Sequence, residues 1–263
     1  MSLVSAGGGS RWFGSVARST GAAQVFVFPY AGGIAASFME WQAMAEPELS
    51  LQVALMPARG IRMHEPPIDD VTELVDQLTT AVIERASGPF LLFGHSLGAL
   101  VAFEVTRELR RRGAPDPLAL LVSGAEAPQT RLIRQRYHEL DDTGLIEALR
   151  DFGATPAGLL ADREMMELIL PGIRADFALS ERYAYRAEPP LELPVHVLLG
   201  DGDEHVDLDR AAGWALECAA PPQRHVFAGG HFFLTDHQSE ILDIMRRIVA
   251  DHTAVAQSST KDR

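Results

Sequence analysis

The chain has 263 residues, an apolar fraction of 47% and a formal net charge of −13. That length suits one domain with a sizeable core, and the acidic balance argues against nonspecific nucleic-acid binding. The single Cys218 excludes an internal disulfide and a Cys-rich zinc site, which makes a reducing cytosol the natural setting. No apolar run approaches membrane-spanning length, and the N-terminus lacks the charged-then-apolar order of a signal peptide, so a cytoplasmic protein that engages no membrane is expected.

Residues 1–10, with Gly7-Gly8-Gly9, read as a loose tail, 11–252 as one domain, and 253–263 as a second tail. Apolar runs of strand length fall near 24–29, 51–55, 90–94, 118–123, 195–200 and 223–227. Helical spacing falls near 69–86, 97–112, 207–218 and 238–252. The alternation predicts an α/β fold with a doubly wound, mostly parallel sheet.

The first strong strand, Gln24-Val25-Phe26-Val27-Phe28, leads into Pro29-Tyr30-Ala31-Gly32-Gly33. The strand Pro89-Phe90-Leu91-Leu92-Phe93 leads into Gly94-His95-Ser96-Leu97-Gly98 and straight on into a helix. A G-x-S-x-G between a buried strand and a helix is a nucleophile elbow, a strained turn that pushes a serine hydroxyl out of the backbone. Side chains at Gly94 and Gly98 would collide where strand and helix leave that turn. Such a serine needs backbone N–H groups aimed at a developing oxyanion. Leu97, at the helix N-terminus, is one expected donor. The loop after the early strand supplies the other, from Tyr30 or Ala31, with Ala31 preferred.

A base and an orienting acid should follow in the order Ser, Asp or Glu, His, on loops after later strands. Val195-His196-Val197-Leu198-Leu199 ends in Gly200-Asp201-Gly202-Asp203, and Arg224-His225-Val226-Phe227 runs into Ala228-Gly229-Gly230-His231. Asp203 is the preferred acid and Asp201 the alternative, because Gly200 can serve the turn and Val206 can anchor the loop. His231 is the preferred base. His196 and His225 lie inside strands, His95 lies in the elbow, and His205 is too near the acid. His64, His138, His237 and His252 lack strand-end context.

Between Ala125 and about Pro190 the alternation stops, and a helical insertion is predicted. A capped helix starts at Asp142, and two further helices span Arg163–Leu170 and Ile173–Tyr185, separated by Pro171-Gly172.

Phe28-Pro29-Tyr30-Ala31-Gly32-Gly33, Met56-Pro57-Ala58-Arg59-Gly60 with Glu65-Pro66-Pro67, the elbow, Gly200-Asp201-Gly202-Asp203 and Gly229-Gly230-His231-Phe232 occur in one order and spacing. Together with Arg11-Trp12-Phe13, they resemble the type II thioesterases over roughly residues 11 to 250. These are stand-alone α/β-hydrolases that accompany modular polyketide and nonribosomal peptide synthases. Two positions depart from the family's pattern: Tyr30 stands where histidine is common, and Ala58 where glycine is.

The resemblance implies Ser96, Asp203 and His231 as a catalytic triad with no metal or cofactor of its own. Its substrate would be an acyl group on the phosphopantetheine arm of an acyl or peptidyl carrier protein, and its task the clearing of stalled or wrongly primed groups. In this fold a helical insertion after the sixth strand is a lid, here about 125–190, a mobile cover with an apolar underside. Tyr30, Met165, Met166, Phe177 and Phe232 are expected at the substrate, with Leu168, Ile169 and Leu179 as further lid candidates. The chain is expected to be a monomer.

The Thr106–Arg112 segment ends its helix in Arg107, Arg110, Arg111 and Arg112. These are either cations placed at a helix C-terminus or an attraction for an acidic carrier, shared with Arg131, Arg134 and Arg136. Residue chemistry alone leaves open a carboxylesterase or lipase, an acyltransferase, and a noncatalytic carrier-binding protein.

Overall fold

The computed structural model describes residues 11–15 and 23–261. The tail expected at 1–10 lies outside them. Seven strands among the described residues form one sheet: β1 (Phe13–Ser15), β2 (Ala23–Phe28), β3 (Leu49–Ala54), β4 (Phe90–His95), β5 (Leu120–Ser123), β6 (Val195–Gly200) and β7 (Gln223–Phe227). Their order is β1-β3-β2-β4-β5-β6-β7. Only β1 runs antiparallel to its neighbour, β3; the other five pairings are parallel.

Parallel strands need crossovers, and helices provide them. They are α1 (Met39–Ala45), α2 (Val71–Arg85), α3 (Leu97–Arg111), α4 (Asp142–Phe152), α5 (Ala157–Leu160), α6 (Arg163–Arg182) and α7 (Leu208–Ala211), and α8 (Gln238–Lys261) follows the last strand. None is long and apolar enough to cross a membrane. Both faces of the sheet are covered, which is why the strands read as continuous apolar runs. In β4, Phe90 and Leu92 join Leu74, Leu78, Val101 and Val105 of α2 and α3. Leu91 and Phe93 face the other way, toward Trp41 of α1 and Ile241 and Met245 of α8. From β2 the chain moves out to β3, and from β4 it moves out to β5 on the opposite side. Adjacent β2 and β4 therefore form a switch point, where a crevice opens beyond the carboxyl ends of the strands.

Several expectations change. β1 and α1 were not predicted, because at three and seven residues they carry little periodicity. Tertiary contacts hold them: Phe13 packs edge-on against Phe26 at 4.9 Å, and Trp41 meets Phe93 at 5.5 Å. The helix expected over 207–218 is α7 followed by 3₁₀ turns at Ala212–Glu217, a frequent way for a short helix to tighten. The tail expected from 253 is instead the end of α8, which runs to Lys261 with no glycine or proline to stop it. The insertion follows β5, the fifth strand in chain order among the described residues rather than the sixth.

Within the insertion, α4 is capped by Asp141, whose carboxylate accepts the Gly144 N–H at 2.8 Å. The two helices expected around Pro171-Gly172 are one helix, α6, with Pro171 inside it. Proline removes one ladder hydrogen bond and crowds the preceding turn, but tertiary packing offsets this. Leu170 and Ile173, on either side of it, lie in a small separate core with Leu145, Leu149, Leu160, Met166 and Phe177. Gly172 packs closely on Ala58: a Cβ there would lie 3.0 Å from the Ala58 carbonyl oxygen, a tight contact that would need Ala58 to give by a few tenths of an ångström.

Ala58 is itself left-handed, at φ 58°, which costs a residue with a Cβ about 1–2 kcal/mol. That is a physical reason for glycine at this place in the resembled family. Ala58→Gly removes the strain but loosens the unfolded chain by about 0.4–1 kcal/mol. Its melting temperature is expected to equal or slightly exceed the parent's, and a fall of more than about 3 °C would contradict the strain argument.

Candidate active site

The elbow is as tight as its glycines demand. Ser96 sits between β4 and α3 at φ 54° and ψ −116°, outside the ordinary regions for a residue with a side chain. Its N–H bonds the Ser123 carbonyl of β5 at 2.8 Å, which holds the turn against the sheet. A Cβ on Gly98 would lie 1.9 Å from the Phe28 carbonyl oxygen, and one on Gly94 would lie 1.9 Å from the Gly98 carbonyl oxygen. The glycines let α3 start directly against β2, beside the Tyr30–Gly33 turn. That turn is closed by the Gly33 N–H on the Tyr30 carbonyl at 2.8 Å.

The acid and histidine loops leave β6 and β7 side by side and are bonded through their backbones. Asp201 N–H meets the Phe227 carbonyl and Gly202 N–H the Gly229 carbonyl, both at 2.9 Å. Of the two aspartates, Asp203 reaches His231: its Oδ2 lies 2.8 Å from Nδ1. Its Oδ1 accepts the His205 N–H, also at 2.8 Å. Asp201 points elsewhere and accepts the Gly229 N–H at 2.9 Å, so it shapes the histidine loop.

Burial works to raise the Asp203 pKa. The hydrogen bond and charge of His231 and the His205 N–H outweigh it, and the carboxyl stays below its ordinary value. An ionised carboxylate only accepts, so Nδ1 of His231 carries the proton and Nε2 is left as a base. Burial, followed by the charge of His231, lowers the pKa of His95 strongly and that of His205 as well. Both neighbours are thereby disfavoured as cations near pH 7.

Ser96 and His231 together line two cavities. One, of about 180 Å³, has a mostly apolar wall that includes Ala31, Ile34, Leu149, Leu159, Ile169 and Ile173. The other, of about 190 Å³, is more polar and includes Glu126, Arg131, Arg134, Gln135, Ser180 and His205. Phe152 and Phe177 line both and divide them. Phe152 stacks on His205 with ring centroids 4.2 Å apart, and Phe177 leans on Tyr137 at 4.9 Å.

The other expected residues separate into two groups. Tyr30 and Phe232 line the apolar cavity, edge to face at 4.8 Å, and Phe177 and Ile169 join them there. Leu97 lines the polar cavity, and Ala31 the apolar one. Met165 and Met166 line neither. Met166 is buried in the lid's own core, and Met165 is 39% exposed. Leu168 faces solvent, and Leu179 belongs to the main core.

The basic cluster ending α3 is matched by acids. Arg110 and Arg111 each bond Glu188 at 2.9 Å, Arg112 bonds Asp76 and Glu108 at 2.7 Å, and Arg107 is buried against Glu104. Arg131 is turned inward onto Ser180. Arg134 and Arg136 are the most exposed of these cations, at 46% and 56% of their side chains, with Arg111 close behind at 43%; Arg134 meets Glu126 at 3.1 Å and Arg136 meets Glu139 at 3.6 Å.

A family model, the thioesterase domain, matches residues 23–249, which span the whole arrangement just described. The chain belongs to the thioesterase domain family. It is similar to the gramicidin S biosynthesis protein GrsT of Aneurinibacillus migulanus, 32% identical over 90% of this chain and 93% of that one. Among solved structures it resembles the type II thioesterase BorB from the borrelidin biosynthetic cluster: TM-score 0.85 and 34% identity, over 92% of this chain and 98% of that one. It also resembles the RedJ thioesterase of the prodiginine pathway in Streptomyces coelicolor: TM-score 0.81 and 33% identity, over 87% and 91% of the two chains. The type II thioesterase resemblance is thus borne out, and the fold is that of the α/β-hydrolase thioesterases. The protein is a hydrolase acting on thioesters.

Three features of this site escaped the sequence reading: the dividing pair with Phe152, the polar cavity, and a buried Arg59–Asp176 pair behind the Tyr30–Gly33 turn. For Asp176 a signal was available. It is a charge among apolar neighbours on the buried side of a helix, beside Ile173 and Phe177, and charges are seldom fully buried unless paired.

Proposed function

We propose that the protein removes acyl groups from the phosphopantetheine thiol of a carrier protein, clearing units that would stall a polyketide or nonribosomal peptide assembly line. The observation that carries this reading is a single one. Ser96, on its strained turn beside the Asp203-held His231, stands where an apolar cavity meets a polar one. An apolar cavity of about 150 Å³ holds a molecule the size of benzene, so the apolar side suits an acyl group of a few carbons. The polar side suits the amides of a pantetheine arm.

In the proposed reaction His231 Nε2 takes the Ser96 proton as Oγ attacks the thioester carbonyl. Asp203 holds the tautomer and steadies the imidazolium. The N–H groups of Leu97 and Ala31 stabilise the tetrahedral oxyanion. Its collapse breaks the C–S bond, and His231 protonates the departing thiolate. A water then gives a proton to His231 and attacks the acyl-serine, releasing the free acid and restoring Ser96. None of these steps calls for a metal or a redox group, and the phosphopantetheine belongs to the partner. The names of the relatives, drawn from antibiotic pathways, support the assembly-line setting.

Arg134, with exposed Leu132 and Ile133 before it, lines the polar cavity, and exposed Arg136 follows two residues on; we read this segment as a basic and apolar docking rim. Charge reversal of Arg134 and Arg136 is expected to raise KM for a carrier-bound substrate about tenfold and leave a small soluble thioester unaffected. Steady-state kinetics on both substrates test this, and equal effects on the two would remove the docking role. Across carriers loaded with acetyl, propionyl and butyryl groups, rates should differ by no more than about 200-fold between neighbours, the limit for one methylene in an apolar pocket. Refusal of all short groups by several orders of magnitude, with one long chain accepted, would point to product release instead.

A further inference from the structure

Asp176 lies inside α6 yet is only 2% exposed, and its carboxylate is fully engaged. Its Oδ1 accepts from Arg59 Nη2 at 2.7 Å, and Oδ2 accepts from Arg59 Nη1. Oδ2 also accepts the backbone N–H of Gly32 at 2.7 Å. Arg59 is in turn braced by the Pro57 and Gly172 carbonyls at 3.3 Å. One carboxylate from the lid therefore joins the loop after β3 to the turn after β2. Gly32 directly follows Ala31 and sits at a left-handed φ of 75°, so the hold on its N–H fixes the peptide plane joining the two residues.

We propose that Asp176 is a positioning residue for the oxyanion turn. By fixing Gly32 it holds the neighbouring Ala31 N–H where the tetrahedral oxyanion forms, and Arg59 keeps the carboxylate aimed. This rests on the oxyanion role proposed for Ala31. It makes α6 part of the catalytic apparatus and not only a cover over the pocket. A neutral amide at 176 has the same shape but one acceptor oxygen, so it cannot serve Arg59 and Gly32 as the carboxylate does.

The test compares Asp176→Asn with the apolar pair Arg59→Met/Asp176→Leu. The second variant removes both charges while filling the space, an exchange that buried ion pairs often tolerate. Active sites are counted by endpoint fluorophosphonate titration, so any misfolded fraction drops out of kcat. Loss of one oxyanion donor costs about 100- to 1000-fold, and its misplacement should cost about 10- to 100-fold in kcat with KM within about twofold. Affinity for an alkyl boronic acid, which forms a tetrahedral adduct on a serine, should fall by the same factor as kcat. Affinity for an alkyl thioether analogue, with CH₂ in place of the carbonyl, should hold.

Wild-type kcat and boronic-acid affinity in either variant would overturn the positioning role. So would a loss confined to KM or to melting temperature. If the wild-type protein forms no boronic-acid adduct at Ser96, the proposed function fails and this inference with it, an outcome distinct from variants that merely match a reactive wild type.

Discussion

Ser96→Ala and His231→Ala are each expected to lower kcat for thioester hydrolysis by about 10⁵- to 10⁶-fold, and the double variant should lose little more. Nucleophile and base act as one unit, so removing either leaves the other without a task. Asp203→Asn should cost about 10⁴-fold, because an amide facing Nδ1 favours the wrong tautomer of His231. Asp201→Asn should stay within a few-fold of the parent. Its side-chain oxygen accepts only the Gly229 N–H, and an amide oxygen accepts that bond equally well. Initial rates normalised to folded protein decide the matter. A dead Asp201→Asn beside an active Asp203→Asn would reverse the assignment of the acid.

The second large effect is on folding. Gly98→Ala would place a methyl carbon 1.9 Å from the Phe28 carbonyl oxygen and 2.6 Å from its carbonyl carbon. No side-chain rotation relieves a clash between two backbones, so α3 or β2 must move. A cost above about 4 kcal/mol is expected, which in a domain of this size lowers the melting temperature by roughly 8–16 °C. Gly158→Ala, at a helical site with nothing within 4 Å, serves as the control and should be neutral or mildly stabilising. Calorimetry or circular dichroism reads both. A Gly98→Ala protein melting within 2 °C of the parent would mean that the elbow is looser than its geometry requires.

What could be read from the chain, and what could not, divides along physical lines. Strands buried on both faces announce themselves as apolar runs, so the central sheet was legible, along with the strand-end loops that carry Ser96, Asp203 and His231. β1 was not, because three residues have no period and their stability comes from Phe26 and Phe28. Pro171 was read as a break because local propensity disfavours it; the lid core around Leu170 and Ile173 overrides that propensity.

The lid lining shows a different limit. Spacing reveals which residues share a helix face, but not which neighbour that face meets. Met166, Leu170, Ile173 and Phe177 follow one another at intervals of four, three and four along α6 and form its buried stripe. Met165 stands one position off that stripe, rotated out to solvent. Nor can a sequence show that Asp176 finds Arg59, 117 residues away, or that two cavities meet at one serine.

The most direct test is intact-mass analysis of an acyl-loaded carrier protein incubated with the enzyme and quenched over time. The carrier should return to the mass of its free phosphopantetheine thiol as free acid accumulates, and a transient acyl adduct on the enzyme should map to Ser96. Ser96→Ala should leave the carrier loaded. A carrier that stays loaded with wild-type enzyme, or an adduct that forms equally well on the Ser96→Ala protein, would contradict the account.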